Sequence, residues 1–416
     1  MLVDPAAPAR MRLLLPSGPA HLTYCTNVHR GEGWAETFDA LRCHLPAVKR
    51  LASPGAPMGV GLRLSAAAVA GLDDPAELDA LRDFLRREDL YVFTVNGFPY
   101  GRFHGGTVKE RVYAPDWRAP ERLAYTDRLA ELLAALLPDE PGLIGSISTV
   151  PGGFRPAASA LGARGAMADA LLRHAVHLAA LEDRTGRRIA LALEPEPMCL
   201  LETTAEAVVF FERDLFGAGA VARFAALSGR PRAASEALLR RHLALCLDVC
   251  HAAVEFEAPE ESLALLRRAG VSVAKLQLSS ALAVPRMDAA AAERLRRFDD
   301  GVYLHQVVER GPDGLVRFLD LPDALDAWRD GGAAVPGARE WRVHCHVPVF
   351  RGALDGFATT QPALLDMLAR QRDDGVSAHL EVETYTWDVL PPELRAGGLD
   401  ASIAREIAWV REKLAA

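Results

Sequence analysis

Carboxylates and imidazoles recur in this sequence at the ends of short apolar runs, a placement that could do chemistry. The run IALALEPEP closes on Glu194 and Glu196, each followed by a proline. LALCLDVCH ends in Asp248 with His251 three residues on, and VAKLQL carries Lys275 and Gln277. WRVHCHV carries His344 and His346, and AHLEVET carries Glu381 and Glu383. Side chains two apart on a strand share a face, so each such pair presents two polar groups together. Carboxylates gathered at low dielectric repel one another and take up protons unless a cation sits among them. A divalent cation meets that need, and the mixed oxygen and nitrogen donors suit Mn, Mg, Co, Fe or Zn without choosing among them. Lysine is scarce, which singles out Lys275 as a Schiff-base residue. His29 and His104, in loops that follow strand-like runs, are candidates for touching substrate.

These residues need elements to position them. Strand-length apolar runs fall at 22–27, 59–65, 90–96, 142–149, 189–194, 243–249, 273–278, 341–347 and 378–384, separated by stretches of helical periodicity. Such alternation predicts parallel strands buried on both faces, and eight units close a barrel. Nine candidates leave one surplus. The segment VYLHQVVERGPDGLVRFLDL reads as two alternating runs around a turn, a β-hairpin inserted late, and the strand at 341–347 goes with it. The expected fold is α/β, a single (β/α)8 TIM barrel over 1–416, with 1–20 a peripheral extension and 299–340 the insertion. In a barrel, catalytic groups come from the C-terminal strand ends, where the polar residues gather here.

The chain of 416 residues carries a net charge of −8 with no basic stripe, which argues against a nucleic-acid partner. No apolar run has membrane length, so a cytoplasmic protein without membrane insertion is expected. Six cysteines without a CxxC pair suit reduced, buried thiols. The sequence holds no GxGxxG after a strand, no GxxxxGK[ST], no GxSxG and no HExxH. His174, His177, His242 and His305 read as packing or surface histidines.

LALEPEP, the DVCH of 248–251 and the closing HLEVETYTW together resemble the xylose isomerase-like TIM barrel superfamily of sugar isomerases and tagatose-type epimerases. The resemblance implies that Glu194, Asp248 and either Glu381 or Glu383 bind a metal, with His251 near metal or substrate. More narrowly, LTYCTNVHRGEGW, FTVNGFPYGRFHGGTVKERVYAPDW, LEPEPMCLLETT, LCLDVCHAAVEFE and HLEVETYTWDVLP resemble the metabolite traffic protein EboE family. That likeness implies a part in making or exporting a secondary-metabolite precursor, and a functional link to a membrane prenyltransferase. Two positions depart from the superfamily: Gln277 stands where a histidine or aspartate is common, and Glu196 where sugar isomerases have lysine.

The resulting expectation is a metal-dependent isomerase or epimerase acting on a small polyol, a sugar or cyclitol. Its metal ligands are Glu194, Asp248 and Glu383 with Gln277 or His346. Glu196 and Glu381 carry protons beside His251, and His29, Asn96, His104, His344 and Lys275 contact substrate. Two alternatives stand beside it: a Schiff-base lyase using Lys275, and a non-catalytic protein that binds and delivers a metabolite.

Overall fold

The computed structural model describes residues 11–331, 339–390, 395 and 397–416. Eight parallel strands form the centre: β2 (Gly18–Tyr24), β3 (Met58–Arg63), β4 (Leu90–Asn96), β5 (Gly145–Thr149), β6 (Ile189–Leu193), β7 (Leu243–Asp248), β8 (Val273–Leu278) and β15 (His379–Val382). They pair in the order β2-β15-β8-β7-β6-β5-β4-β3. The seam between β2 and β3 closes through a parallel bridge from Cys25 to Gly61, and the Thr23 hydroxyl donates to Gly59 O and accepts from Gly61 N, both at 2.9 Å. A Cβ on Gly61 would stand 1.8 Å from the Glu381 carboxylate, so the glycine lets a polar side chain cross the lumen. The short β1 (Arg12–Leu15) adds antiparallel to β2, and residues 1–10 of the expected extension lie outside the described residues.

Nearly every barrel-strand residue is buried, as parallel strands covered by helices require. Helices such as Pro75–Arg87 and Pro259–Ala269 begin with proline in the first turn and turn leucines inward. Thr203 and Glu206 make the reciprocal capping pair that starts the helix Thr204–Phe210.

Between β8 and β15 the chain builds a second, antiparallel sheet: β9 (Leu282–Val284), β10 (Val307–Gly311), β11 (Gly314–Phe318), β12 (Glu340–Val343), β13 (Ala353–Leu354) and β14 (Phe357–Thr359). Its order is β11-β10-β12-β9-β14-β13. The hairpin read from the sequence is β10–β11, turning through Pro312 and Asp313. The ninth strand of the sequence reading is β12, which pairs with β10 and β9 and not with the barrel. The sheet also draws in 282–284, 353–354 and 357–359, runs of two or three residues too short to show alternation. Part of the expected insertion, 332–338, lies outside the described residues. Because the sheet leaves the barrel from the C-terminal end of β8, it sits beside the mouth. Arg317 of β11 fixes it there, reaching Glu255 at 2.6 Å and Glu202 at 3.2 Å.

Candidate metal centre and active site

Three barrel strands deliver the carboxylates. Glu194 follows β6, Asp248 ends β7 and Glu383 follows β15, and one oxygen from each lies within 4.8 Å of the others. All three side chains are buried. Each is held by one oxygen or by its backbone and turns something inward. Asp248 caps the helix Val249–Val254: its Oδ1 accepts from His251 N at 3.0 Å and from the Ser279 hydroxyl at 2.6 Å, while Oδ2 has no hydrogen-bond partner. Glu383 Oε1 accepts from the side-chain amides of Asn27 at 2.8 Å and Asn96 at 3.0 Å. Glu194 N donates to Thr149 O at 3.1 Å, and its Oε2 is unpartnered.

The histidines are oriented in the same sense. His346 Nδ1 lies 2.8 Å from Glu383 O and His251 Nδ1 lies 2.9 Å from Pro195 O. A carbonyl only accepts, so each Nδ1 carries a proton and each Nε2 faces inward. Burial keeps His346 neutral with a lone pair there, whereas at His251 burial is outweighed by Asp248, Glu196 and Glu194, which raise its pKa. Those nitrogens face Asp248 Oδ2 at 4.0 Å from His346 and 3.8 Å from His251. His344 Nδ1 bonds Gln306 Oε1 at 2.7 Å, which leaves its Nε2 unpartnered too. Imidazoles anchored through one nitrogen with the other presented inward are what metal-ligand histidines look like.

Electrostatics point the same way. Burial, then the neighbouring Asp248, raises the Glu194 pKa, and burial with Glu194 and Asp248 raises that of Glu383. Burial also acts against ionised Asp248, but His251, His346 and the Ser279 hydroxyl outweigh it and lower its pKa. Burial holds His346 down to about 4, a neutral ligand form. Protein groups alone therefore leave two of the three carboxylates short of positive charge. The orphaned oxygens of Glu194 and Asp248 and the lone pair of His346 fit a hard or borderline divalent cation. Gln277, paired in register with Asp248 and wholly buried, has neither amide atom hydrogen-bonded.

Above the carboxylates opens a cleft of about 520 Å³, its wall including Asn27, Asn96, Tyr113, Glu194, Glu196, His251, His344 and Glu383. Glu196 is set by contacts the sequence reading did not find. The Tyr113 hydroxyl donates to its Oε1 at 2.6 Å, and Gln306 Nε2 donates to the Tyr113 oxygen at 2.7 Å and to Pro197 O at 3.2 Å. Burial raises the Glu196 pKa, although His251 and the Tyr113 hydroxyl pull against it.

Other expected site residues lie elsewhere. Lys275 and Glu381 are fully buried, 2.7 Å apart, and neither lines the cleft. Burial opposes the charge on Lys275, but Glu381 together with Cys246 and Cys25 outweighs it and raises the amine's pKa, so the lysine is a cation and no nucleophile. His29 bonds the Tyr24 hydroxyl at 2.9 Å and stacks on His44 at 4.2 Å, away from the cleft. His104 spans Asn27 O at 2.5 Å and the Tyr303 hydroxyl at 2.9 Å, tying two loops behind the cleft wall. Glu406, on the helix Leu399–Ala415, accepts from Val349 N at 3.0 Å and from the Thr384 hydroxyl at 2.7 Å, pinning the segments that carry His346 and Glu383.

Fold and site together define a (β/α)8 barrel with a buried carboxylate–imidazole cluster at its C-terminal mouth. Among solved structures the chain is similar to xylose isomerase-like barrels. One is a xylose isomerase-like TIM barrel protein from Mycobacterium smegmatis in complex with magnesium: 13% identity, TM-score 0.47, covering 98% of this chain and 96% of that one. Another is the IolI protein with a zinc atom: 14% identity, TM-score 0.44, covering 95% and 97%. A D-tagatose 3-epimerase-like protein shares 11% identity at a TM-score of 0.44, covering 89% and 95%. Likeness at this level carries no argument about activity. No family model and no curated protein sequence matches the chain.

Proposed function

We propose that the protein is a metal-dependent isomerase or epimerase acting on a small polyol, a sugar or cyclitol. The observation that carries the reading is the convergence of Glu194, Asp248 and Glu383 within 4.8 Å, with unpartnered oxygens and inward-facing imidazole nitrogens. Glu194, Asp248, Glu383 and His346 would hold the cation, with the orphaned amide of Gln277 as a further donor. When bound, a divalent metal stabilises negative charge on substrate oxygens as a proton leaves the adjacent carbon.

The protein's own groups handle the proton. Glu196 is buried and held at one oxygen by Tyr113, and burial raises its pKa, the direction that makes a carboxylate a stronger base. His251 lies with Glu196 and His344 in one buried group, ligand atoms within 4.8 Å, and receives or returns the proton on the same side of the cleft. Glu381, expected as a second proton carrier on the opposite side, is committed to Lys275, so the proposal rests proton transfer on Glu196 and His251. Their shared side of the cleft favours a 1,2-isomerisation over an epimerisation, which needs proton return from the opposite face. Asn96, already bound to Glu383, and His344 line the cleft and hold hydroxyls. The ion-paired state of Lys275 weighs against a Schiff-base lyase. A role in a cytoplasmic secondary-metabolite pathway, beside a membrane prenyltransferase, stays with this proposal as an implication of the sequence resemblance. Among the described residues no helix is long and apolar enough to cross a membrane.

The test is hydrogen exchange. Protein reconstituted with Mn²⁺ and incubated with a polyol panel in deuterated water is expected to place deuterium at the carbon beside the reacting oxygens, and Glu196→Gln to abolish it. Binding of polyol without exchange or isomer formation would instead favour the metabolite carrier.

A further inference from the structure

We infer that the substrate carries an uncharged apolar substituent beyond its hydroxylated end, and is not a phosphorylated sugar. The inference rests on the isomerase reading for the hydroxylated end only. The cleft has two unlike halves. Its floor is polar: Glu194, Glu196, Glu383, Asn96 and His251. Its upper wall is built from Phe98, Phe103, Val108, Val112, Tyr303 and Leu304, which offer a hydroxyl-rich molecule almost no partners.

That upper wall is a constructed roof. Phe103, Tyr303 and Tyr385 come from three loops, after β4, before β10 and after β15, and their rings pack mutually at 5.3, 5.3 and 5.1 Å. Main-chain bonds from Val108 N and Lys109 N to Val302 O, 2.8 and 3.0 Å, zip the first loop to the second. The Tyr303 hydroxyl is spent on Phe103 O at 3.1 Å and on His104. An apolar surface fixed in this way gains from excluding water, not from hydrogen bonding.

Charge excludes the alternative occupant. Among the described residues lining the cleft Lys109 is the single lysine or arginine, and Asp320 holds it at 2.5 Å. Apart from the proposed metal, a phosphate would meet a carboxylate floor with no unengaged side-chain cation among the described lining residues to receive it.

The experiment is calorimetric titration of Mn²⁺-loaded protein with hexoses and inositols, each as free polyol, monophosphate and phenyl ether. The phenyl ether is expected to bind at least tenfold tighter than its parent, and the monophosphate no tighter. Tyr303→Ala, and the milder Val112→Asn at a half-buried position, should remove the phenyl gain and leave affinity for the parent unchanged; thermal melts check that both fold. Equal binding of parent and phenyl ether, or preference for the phosphate, overturns the inference and leaves the isomerase reading intact. Binding of no member of the panel overturns the polyol reading, and this inference with it.

Discussion

The barrel encloses two sets of buried polar side chains, and their difference is instructive. Deep in the lumen Lys275 pairs with Glu381 at 2.7 Å, His379 Nδ1 bonds the Ser146 hydroxyl at 2.8 Å, Ser146 bonds Thr94 at 2.8 Å, and His21 meets the Tyr91 hydroxyl at 3.1 Å. At the mouth Glu194, Asp248, His344 and His346 are as buried and each leaves an atom without a hydrogen-bond partner; Glu381 Oε2 and His379 Nε2 in the deep set do so too, but there Lys275 balances the carboxylate charge. Burial and polarity alone do not mark a site. The deep set is charge-balanced by its own members and serves structure; the upper set lacks positive charge and requires a ligand.

The comparison can be broken from below. Lys275→Met strands the Glu381 carboxylate in the lumen and is expected to cost about 3–5 kcal/mol of stability by denaturant unfolding. Metal content of the folded fraction should not change. If Lys275→Met instead lost its metal with stability intact, the deep pair would belong to the site.

Glu406 sharpens the contrast, because it is buried with neutral hydrogen-bond donors and burial pushes its pKa up to about 7. The folded state then binds its proton more tightly than the unfolded chain, so the stabilisation is fully present below the unfolded pKa and is lost as pH rises to about 7. Glu406→Gln keeps an acceptor for Thr384 and Val349 but has no proton to lose. Its stability relative to the parent should rise across that window by up to about 3 kcal/mol, read from denaturant midpoints at several pH values.

Smaller effects are expected at the mouth's supporting residues. Gln306→Met frees the His344 ring and should lower turnover about 10–100-fold with metal content unchanged. Tyr113→Phe removes the bond that favours ionised Glu196, so its pKa rises further. The acid limb of the pH–rate profile is expected to move to higher pH, with little change on the alkaline side.

Much of this was legible in the sequence because strand periodicity is local. The runs ending in Glu194 and Asp248 lie within a residue or two of β6 and β7, so the strands and the buried ends that carry these two carboxylates follow from local pattern. Periodicity cannot tell depth along a lumen, so Lys275 and Glu381 looked equivalent to Glu194 and Glu383. Nor can it see which loops meet. Tyr113 lies 193 positions from Gln306, and their bond depends on the second sheet packing beside the mouth. Asn27 reaches Glu383 across 356 positions at the barrel seam, and nothing in its surrounding sequence signals that. His29 sat in a loop on the expected side but found aromatic partners behind the wall, a choice made by the packing of the helix Trp34–Ala52.

The most direct test of the account is metal content by elemental analysis of protein purified without chelator or metal-binding tag, beside Glu194→Gln and Asp248→Asn. The account predicts close to stoichiometric divalent metal in the parent protein and its loss in both variants, with folding retained. A parent free of metal that also fails to take up Mn²⁺, Mg²⁺, Co²⁺, Fe²⁺ or Zn²⁺, or variants that keep their metal, would contradict it.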